Sequence, residues 1–129
     1  MINIIYNLER KGFLRKQDRK NLFSLLKDGN ISELYGKINS INLISIDNYS
    51  LSNRHLLMAL TSDIGFQEPQ FAEEHYRKSV EVNKFDLSNY MMLARFYQKN
   101  CRYDEAIDTL LTISSIAISS SQKINLINN

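Results

Sequence analysis

The stretch "NYMMLARFYQKNCRYDEAIDTLLTI", residues 89–113, decides the fold. Its first part carries apolar residues at the i, i+3, i+4, i+7 spacing of one helix face: Tyr90, Leu93, Ala94 and Tyr97. After a polar joint at residues 99–102, the same kind of spacing resumes: Tyr103, Ala106, Ile107, Leu110 and Ile113. A joint this short predicts two antiparallel helices, and a small residue such as Ala106 would let their backbones approach closely.

A copy of this helical hairpin lies 34 residues upstream. Ala72 then corresponds to Ala106, and Pro69 falls at the start of the copy's second helix, where a missing N–H is tolerated. Gly65-Phe66 marks the joint before that helix. A weaker third copy at residues 27–41 aligns Gly29 with Cys101, and the extra residues fall in a predicted irregular linker at 42–50.

Composition agrees with one helical domain spanning residues 1–129. Apolar residues make up 43% and charged residues 23%, which is ordinary for a globular chain, and only four glycines and one proline interrupt it. The start has no export-signal pattern, and no run reaches the roughly 18 apolar residues of a membrane-spanning helix. A single cysteine cannot form an internal disulfide. We therefore expect an all-α protein in the cytoplasm, without membrane contact.

The 34-residue helix-turn-helix period resembles the tetratricopeptide repeat (TPR) family, with "RYDEAI" at 102–107 as the closest stretch. The resemblance implies an α-solenoid, a TPR-like array of antiparallel helical hairpins between N-terminal and C-terminal capping helices. The segments would be 1–16 (N-terminal segment), 17–50 (degenerate repeat), 53–86 and 87–120 (repeats) and 121–129 (C-terminal cap). Cys101 departs from the family, which usually has glycine at this position.

The resemblance also implies a concave groove that binds a peptide or helix of a partner protein. The groove-facing residues would be Arg54, Leu57, Thr61, Ile64, Ser88, Met91, Arg95, Gln98 and Lys99. Family members that clamp acidic chaperone tails need lysine and asparagine where this chain has Met91 and Arg95, so that role is not expected. Apolar and basic groups together favour an amphipathic, partly acidic partner segment. The alternative is that Leu57 and Met91 pack in the core while Arg95 and Lys99 are ordinary solvated charges.

Size and organisation suggest an adaptor or a dedicated chaperone. Small TPR-like chaperones of bacterial type III secretion systems have a similar build, and they hold export subunits in their grooves. Catalysis is not predicted, because His55 and His75 lie twenty residues apart and nothing local brings either one to Cys101. No metal site and no cofactor motif is predicted.

The run "ERKGFLRKQDRKNLFSLLK", residues 9–27, holds seven basic residues against Glu9 and Asp18. A nucleic-acid or regulatory role for this segment is the alternative function. Apolar residues interleaved at roughly helical intervals favour a capping helix instead. Residues 120–129 are predicted as a final helix that caps the last hairpin or docks on another chain, and a homodimer through an uncapped end stays open.

Overall fold

The computed structural model describes residues 1–44, 47–66 and 68–128, with side chains as far as Ser119. Throughout these ranges the regular structure is helical, and no strand occurs in them. The helices are α1 (Ile2–Arg10), α2 (Lys16–Lys27), α3 (Ile31–Ser40), α4 (Asn48–Thr61), α5 (Pro69–Val82), α6 (Leu87–Lys99) and α7 (Tyr103–Asn128), and a π-helical segment, Ser62–Phe66, continues α4. The predicted all-α class is confirmed. None of the described helices has both the length and the apolar character that crossing a bilayer requires.

Local signals in the sequence explain where several helices begin. Asp47 and Ser50 form a reciprocal capping box at the start of α4, the Asn30 side chain accepts from the Glu33 N–H at the start of α3, and Asp86 caps α6. Pro69 is the first residue of α5, as its fixed φ predicts. Each of these caps satisfies N–H groups that would otherwise lack an intrahelical acceptor.

Two helix ends use a left-handed backbone conformation. Gly29 follows α2 with φ of 70°, and Cys101 follows α6 with φ of 59°. The sequence alignment pairs these two positions, and both take the positive φ that typically ends a helix. Glycine adopts this conformation without strain, whereas the Cβ of a cysteine makes it costly.

Where the sequence predicts one domain, the described residues divide into two compact units, Met1–Asn83 and the residues from Lys84 onward. In unit 1, α4 packs against α1, α3 and α5, and α2 packs against α1 and α3. The core holds apolar residues of the first four helices and their connections: Ile5, Leu8, Leu14, Leu22, Leu34, Ile38, Ile41, Leu57 and Met58. Unit 2 is the α6–α7 pair.

Small residues let α4 and α5 approach closely. Ala59, Ala72 and Ser79 are fully buried, and the Ser52 hydroxyl donates to the Ser79 carbonyl at 2.9 Å. At the end of this pair, Gly65 of the π-helical segment lies against Ile31, since a Cβ added to Gly65 would fall 1.9 Å from the Ile31 Cγ2. A glycine is therefore required at this contact.

Three expectations about element bounds differ from the structure. Residues 9–27 do not form one helix, because α1 ends at Arg10 and Gly12, with φ of 84°, reverses the chain before α2. The linker predicted at 42–50 is shorter, since α4 already begins at Asn48. A separate helix at 120–129 is not found, because the backbone of α7 continues unbroken to Asn128.

Candidate functional site

Helix α6 presents a mixed polar and apolar face to solvent. Leu93, Ala94, Phe96 and Tyr97 are buried. The exposed positions on the same helix are Ser88, Met91, Arg95, Gln98 and Lys99, which are the five residues that the resemblance implies for the groove of the last repeat. Accessibility of these five residues thus agrees with a contact surface on this helix.

Helix α7 exposes an apolar stripe. Its members recur at helical spacing along one side: Tyr103, Ile107, Leu110, Leu111 and Ile118. The sequence pattern groups Tyr103, Ile107 and Leu110 with Ala106 on one face of this helix, and the structure leaves these three residues about half-exposed. Ala106 and Thr109 are the buried positions instead. A pattern of apolar residues does not identify Thr109 as a buried position. Its hydroxyl can be buried because it donates to the Glu105 carbonyl at 2.8 Å.

The two exposed faces meet in a groove on unit 2 with a volume of about 330 Å³. We call it the α6–α7 groove, and its lining residues are Met91, Ala94, Arg95, Gln98, Tyr103, Ala106, Ile107 and Leu110. The structure therefore brings Met91, Arg95 and Gln98 together in one concave surface. Ser88 and Lys99 lie on the same helix but do not line the groove.

Charges of opposite sign lie on the two helices of the groove. Arg95 on α6 is exposed, and within residues 84–119 it takes part in no ion pair. On α7, Asp104 and Asp108 are exposed. At the joint between the helices, Arg102 donates from Nε to Glu105 at 2.7 Å and lies over the Tyr97 ring. This pairing fixes the turn from α6 into α7 and leaves the cation of Arg95 available to a ligand.

The residues predicted for the groove of the preceding repeat lie in unit 1, and most of them are inaccessible. Leu57 is 2% exposed and packs in the core, in contact with a small gap that Leu8 and Leu14 also line. Thr61 is fully buried and donates to the Leu57 carbonyl. The prediction that these two residues face a groove is wrong, because Leu57 lies in a core shared with residues of α1, α2 and α3, and Thr61 has no exposed surface.

Arg54 and Ile64 complete the predicted set in unit 1. Arg54 is half-buried, donates from its guanidinium to the Ile41 carbonyl, and has its pKa lowered by burial. It therefore ties α4 to the end of α3 and is not a free surface cation. Ile64 is exposed, on the π-helical segment.

Two histidines that lie twenty residues apart in the sequence meet in unit 1. The Nδ1 atoms of His55 on α4 and His75 on α5 lie 3.2 Å apart, and the Tyr35 hydroxyl on α3 lies 3.1 Å from His75 Nε2. Burial lowers the pKa of both imidazoles, and the pKa of His55 falls to about 4, with His75 and Lys78 as further causes. An Nδ1–H···Nδ1 bond needs at least one neutral ring, which these low pKa values provide at neutral pH. The signal in the sequence was the antiparallel hairpin itself, which brings residues of its two helices side by side.

This histidine pair does not extend into a metal site. Within the described part of the chain, no group of three or more His, Cys, Asp or Glu side chains is placed to hold a metal ion. The neighbouring carboxylates have other partners, since Glu73 pairs with Arg77 and Glu74 with Lys78. The pair therefore acts as a polar contact between helices.

The chain was compared with known proteins at three levels. No protein-family model, no curated protein and no solved structure matches it. The α6–α7 groove and the chemistry of its residues are therefore the observations from which a function can be argued.

Proposed function

We propose that this chain is a TPR-like protein-interaction module that binds an amphipathic helix of a partner protein in the α6–α7 groove. The observation that carries the proposal is the apolar surface of Met91, Ile107 and Leu110, exposed in one concave site. Exposed apolar surface of this kind is costly in water and is typical of binding sites. An adaptor or chaperone role, including the secretion chaperones that the sequence resembles, fits such a module.

The repeat arrangement itself is supported by the spacing of the helices. Helices α5 and α7 begin at Pro69 and Tyr103, which are 34 residues apart, and each starts the second half of a helical pair. Ala72 and Ala106 occupy equivalent places in these helices, and both are buried. These matches support a TPR-like repeat as the source of the groove.

The shape and polarity of the groove favour a helix as the ligand. Its floor is apolar, methionine adapts to irregular ligand surfaces, and two helices that flank a furrow accept a third helix by ordinary side-chain packing. Arg95 on the α6 side favours an acidic flank on the ligand, while Asp104 on α7 disfavours acid on the other flank. The partner segment is therefore a helix with an apolar stripe and acidic residues along one edge.

Magnitudes indicate which contacts supply affinity. Complete burial of a large apolar side chain contributes roughly 1.5–3 kcal/mol, so burying the exposed parts of Met91, Ile107 and Leu110 contributes about 2–4 kcal/mol in all. An exposed ion pair to Arg95 contributes about 0–1 kcal/mol. Apolar contacts thus give the affinity, and the charges select the orientation of the bound helix.

The test uses neighbouring leucines on α7. Leu110 lines the groove, whereas Leu111 is exposed outside it. Leu110→Asp therefore places a charge inside the groove, and Leu111→Asp makes the same chemical change outside the groove. The probe is a fluorescent helical peptide with a leucine stripe and glutamates along one flank. We expect Leu110→Asp to weaken binding at least about tenfold, because it places a charge in an apolar contact. Leu111→Asp should leave binding within about twofold of the unchanged chain.

Two further measurements complete this test. A peptide with lysines in place of the glutamates should bind more weakly, and Arg95→Glu should reduce that difference, because the charge at the rim is reversed. Circular dichroism must show unchanged helicity for each variant. Equal losses from Leu110→Asp and Leu111→Asp, or no binding of either peptide, would exclude the groove as the binding site.

A further inference from the structure

Helices α1 and α2 of unit 1 carry a set of basic side chains that the proposed groove does not use. Lys11 is exposed but lies over the Tyr49 ring, 4.1 Å from its centroid, and the other exposed members form what we call the basic face: Arg10, Arg15, Lys16, Lys20 and Lys27. The two acidic residues of the run 9–27 have other partners, since Glu9 accepts from Arg19 at 2.6 Å and Asp18 lies 3.9 Å from Lys37. Asp28, after Lys27, is the nearest further acid along the chain. The basic face therefore keeps a net positive charge of several units.

Part of the basic face is an ordered stripe along α2. Lys16, Lys20 and Lys27 recur at i, i+4 and i+11 and therefore share one side of the helix. The stripe is about 16 Å long at the helical rise per residue. A row of cations on a rigid helix can contact successive phosphates of one nucleic-acid strand.

Aromatic and amide groups adjoin the stripe. Phe23 lies on the same side of α2, and its ring meets the ring of Tyr6 on α1 edge to face at 4.9 Å between centroids. Tyr6 also lines an open depression on α1, together with Asn3, Asn7, Glu9 and Arg10. Aromatic rings stack on unpaired bases, and amide side chains form hydrogen bonds with base edges. The chemistry beside the cations therefore suits bases that are not paired.

We propose that the basic face, with the depression beside it, binds single-stranded nucleic acid. Lys16, Lys20 and Lys27 hold the phosphates, and Tyr6, Asn3 and Asn7 contact the splayed bases. A lipid surface fits less well, because the apolar sides of α1 and α2 point inward: Ile5, Leu8 and Leu22 are all buried in the core. The large apolar residues that these two helices expose are Ile2 and Tyr6, which are too few to form the apolar face of a helix that lies in a bilayer surface.

The number of phosphate contacts sets the salt dependence. Each contact with single-stranded nucleic acid contributes about 0.7 to the negative slope of log affinity against log salt. The five exposed cations of the basic face therefore predict a slope of about −3.5. Removing three of these contacts should lower the steepness by about 2 and leave weaker binding with a slope of about −1.4.

Fluorescence anisotropy tests this proposal with the full chain and a labelled oligouridylate of about 16 nucleotides, between about 50 and 200 mM salt. The variant Lys16→Gln/Lys20→Gln/Lys27→Gln should weaken binding at low salt by about tenfold or more and flatten the slope. A matched control is Arg77→Gln/Lys78→Gln/Lys84→Gln, which removes the same charge outside the basic face and should keep the slope. Tyr6→Ala should weaken binding several-fold at an unchanged slope, because it removes stacking and no cation.

Three results would overturn the proposal. Equal effects of the two triple variants would show that only net charge matters. A duplex of the same length that binds as tightly as the single strand would exclude recognition of unpaired bases. Binding to vesicles with anionic lipids, in the absence of oligonucleotide binding, would assign the basic face to membranes.

Discussion

The helical pairs α4–α5 and α6–α7 share one sequence pattern but expose different sides. Leu57 in α4 and Met91 in α6 are 34 residues apart at equivalent positions, yet Leu57 is 2% exposed and Met91 39%. Tyr76 and Leu110, in the second helices, differ in the same way, at 2% and 45%. Helices α1 and α3 pack against α4 in unit 1, and no further helix of unit 2 covers α6 and α7 in the described part of the chain. A repeat pattern thus sets which helices pair, and the other elements of a unit decide which of their faces stay open.

The largest expected effect is on stability at the two equivalent positions Leu57 and Met91. Leu57→Ala should lower the free energy of unfolding of unit 1 by about 2–5 kcal/mol, because it opens a cavity in a packed core. Met91→Ala should cost less than about 1 kcal/mol, since the side chain already contacts water. Hydrogen exchange resolved by peptide would measure both changes, in α4 and α6 respectively. Similar costs at both positions would mean that the groove side of α6 is covered in solution.

The next largest effect is a response to acid that only unit 1 should show. Burial lowers the pKa of His55 from 6.5 to about 4 and also lowers that of His75, so the unfolded chain binds more protons than the folded one as pH falls below 6.5. Stability present above pH 6.5 is therefore lost progressively towards pH 4. Because both imidazoles are only partly buried, water screens part of this effect, and we expect a loss of about 1–2 kcal/mol.

The acid response can be measured by urea unfolding at pH values between about 7.5 and 5, where most carboxylates stay ionised. The variant His55→Gln/His75→Gln removes both imidazoles and should flatten the profile in this window. Hydrogen exchange in α6 should not follow the change, because residues 84–129 contain no histidine. A profile that persists in the double variant would assign the acid response to other groups.

A smaller effect compares the ends of α2 and α6. Cys101→Gly should raise the free energy of unfolding of unit 2 by up to about 1 kcal/mol, because glycine removes the strain of a Cβ at positive φ. Gly29→Ala should lower the free energy of unfolding of unit 1 by about 1 kcal/mol, because it places a Cβ at a positive φ. Thermal unfolding should show a higher Tm for Cys101→Gly and a lower Tm for Gly29→Ala. A loss of stability in Cys101→Gly would instead indicate that contacts of the thiol outweigh the backbone strain.

Local features of the fold could be predicted from the sequence. Pro69 begins α5, residues 100–102 join α6 to α7, and Gly29 and Cys101 share a left-handed backbone, because each depends on residues close along the chain. The covering of Leu57 and the meeting of His55 with His75 depend on tertiary packing, which no periodicity encodes. The apolar pattern of α7 does not reveal that Thr109 is buried beside Ala106, because threonine does not count as an apolar residue. Of the predicted groove, the positions on α6 are accessible, while Leu57 and Thr61 are not.

The joint after α6 also has a practical use. Cys101 carries the only thiol of the chain, it is exposed, and the hydroxyl of Tyr103, a wall of the groove, lies 3.6 Å from its sulfur. One maleimide dye would therefore label every molecule at the same place, next to the site under test. Quenching or polarisation of that dye would report occupancy directly and would allow ligand libraries to be screened before any natural partner is identified.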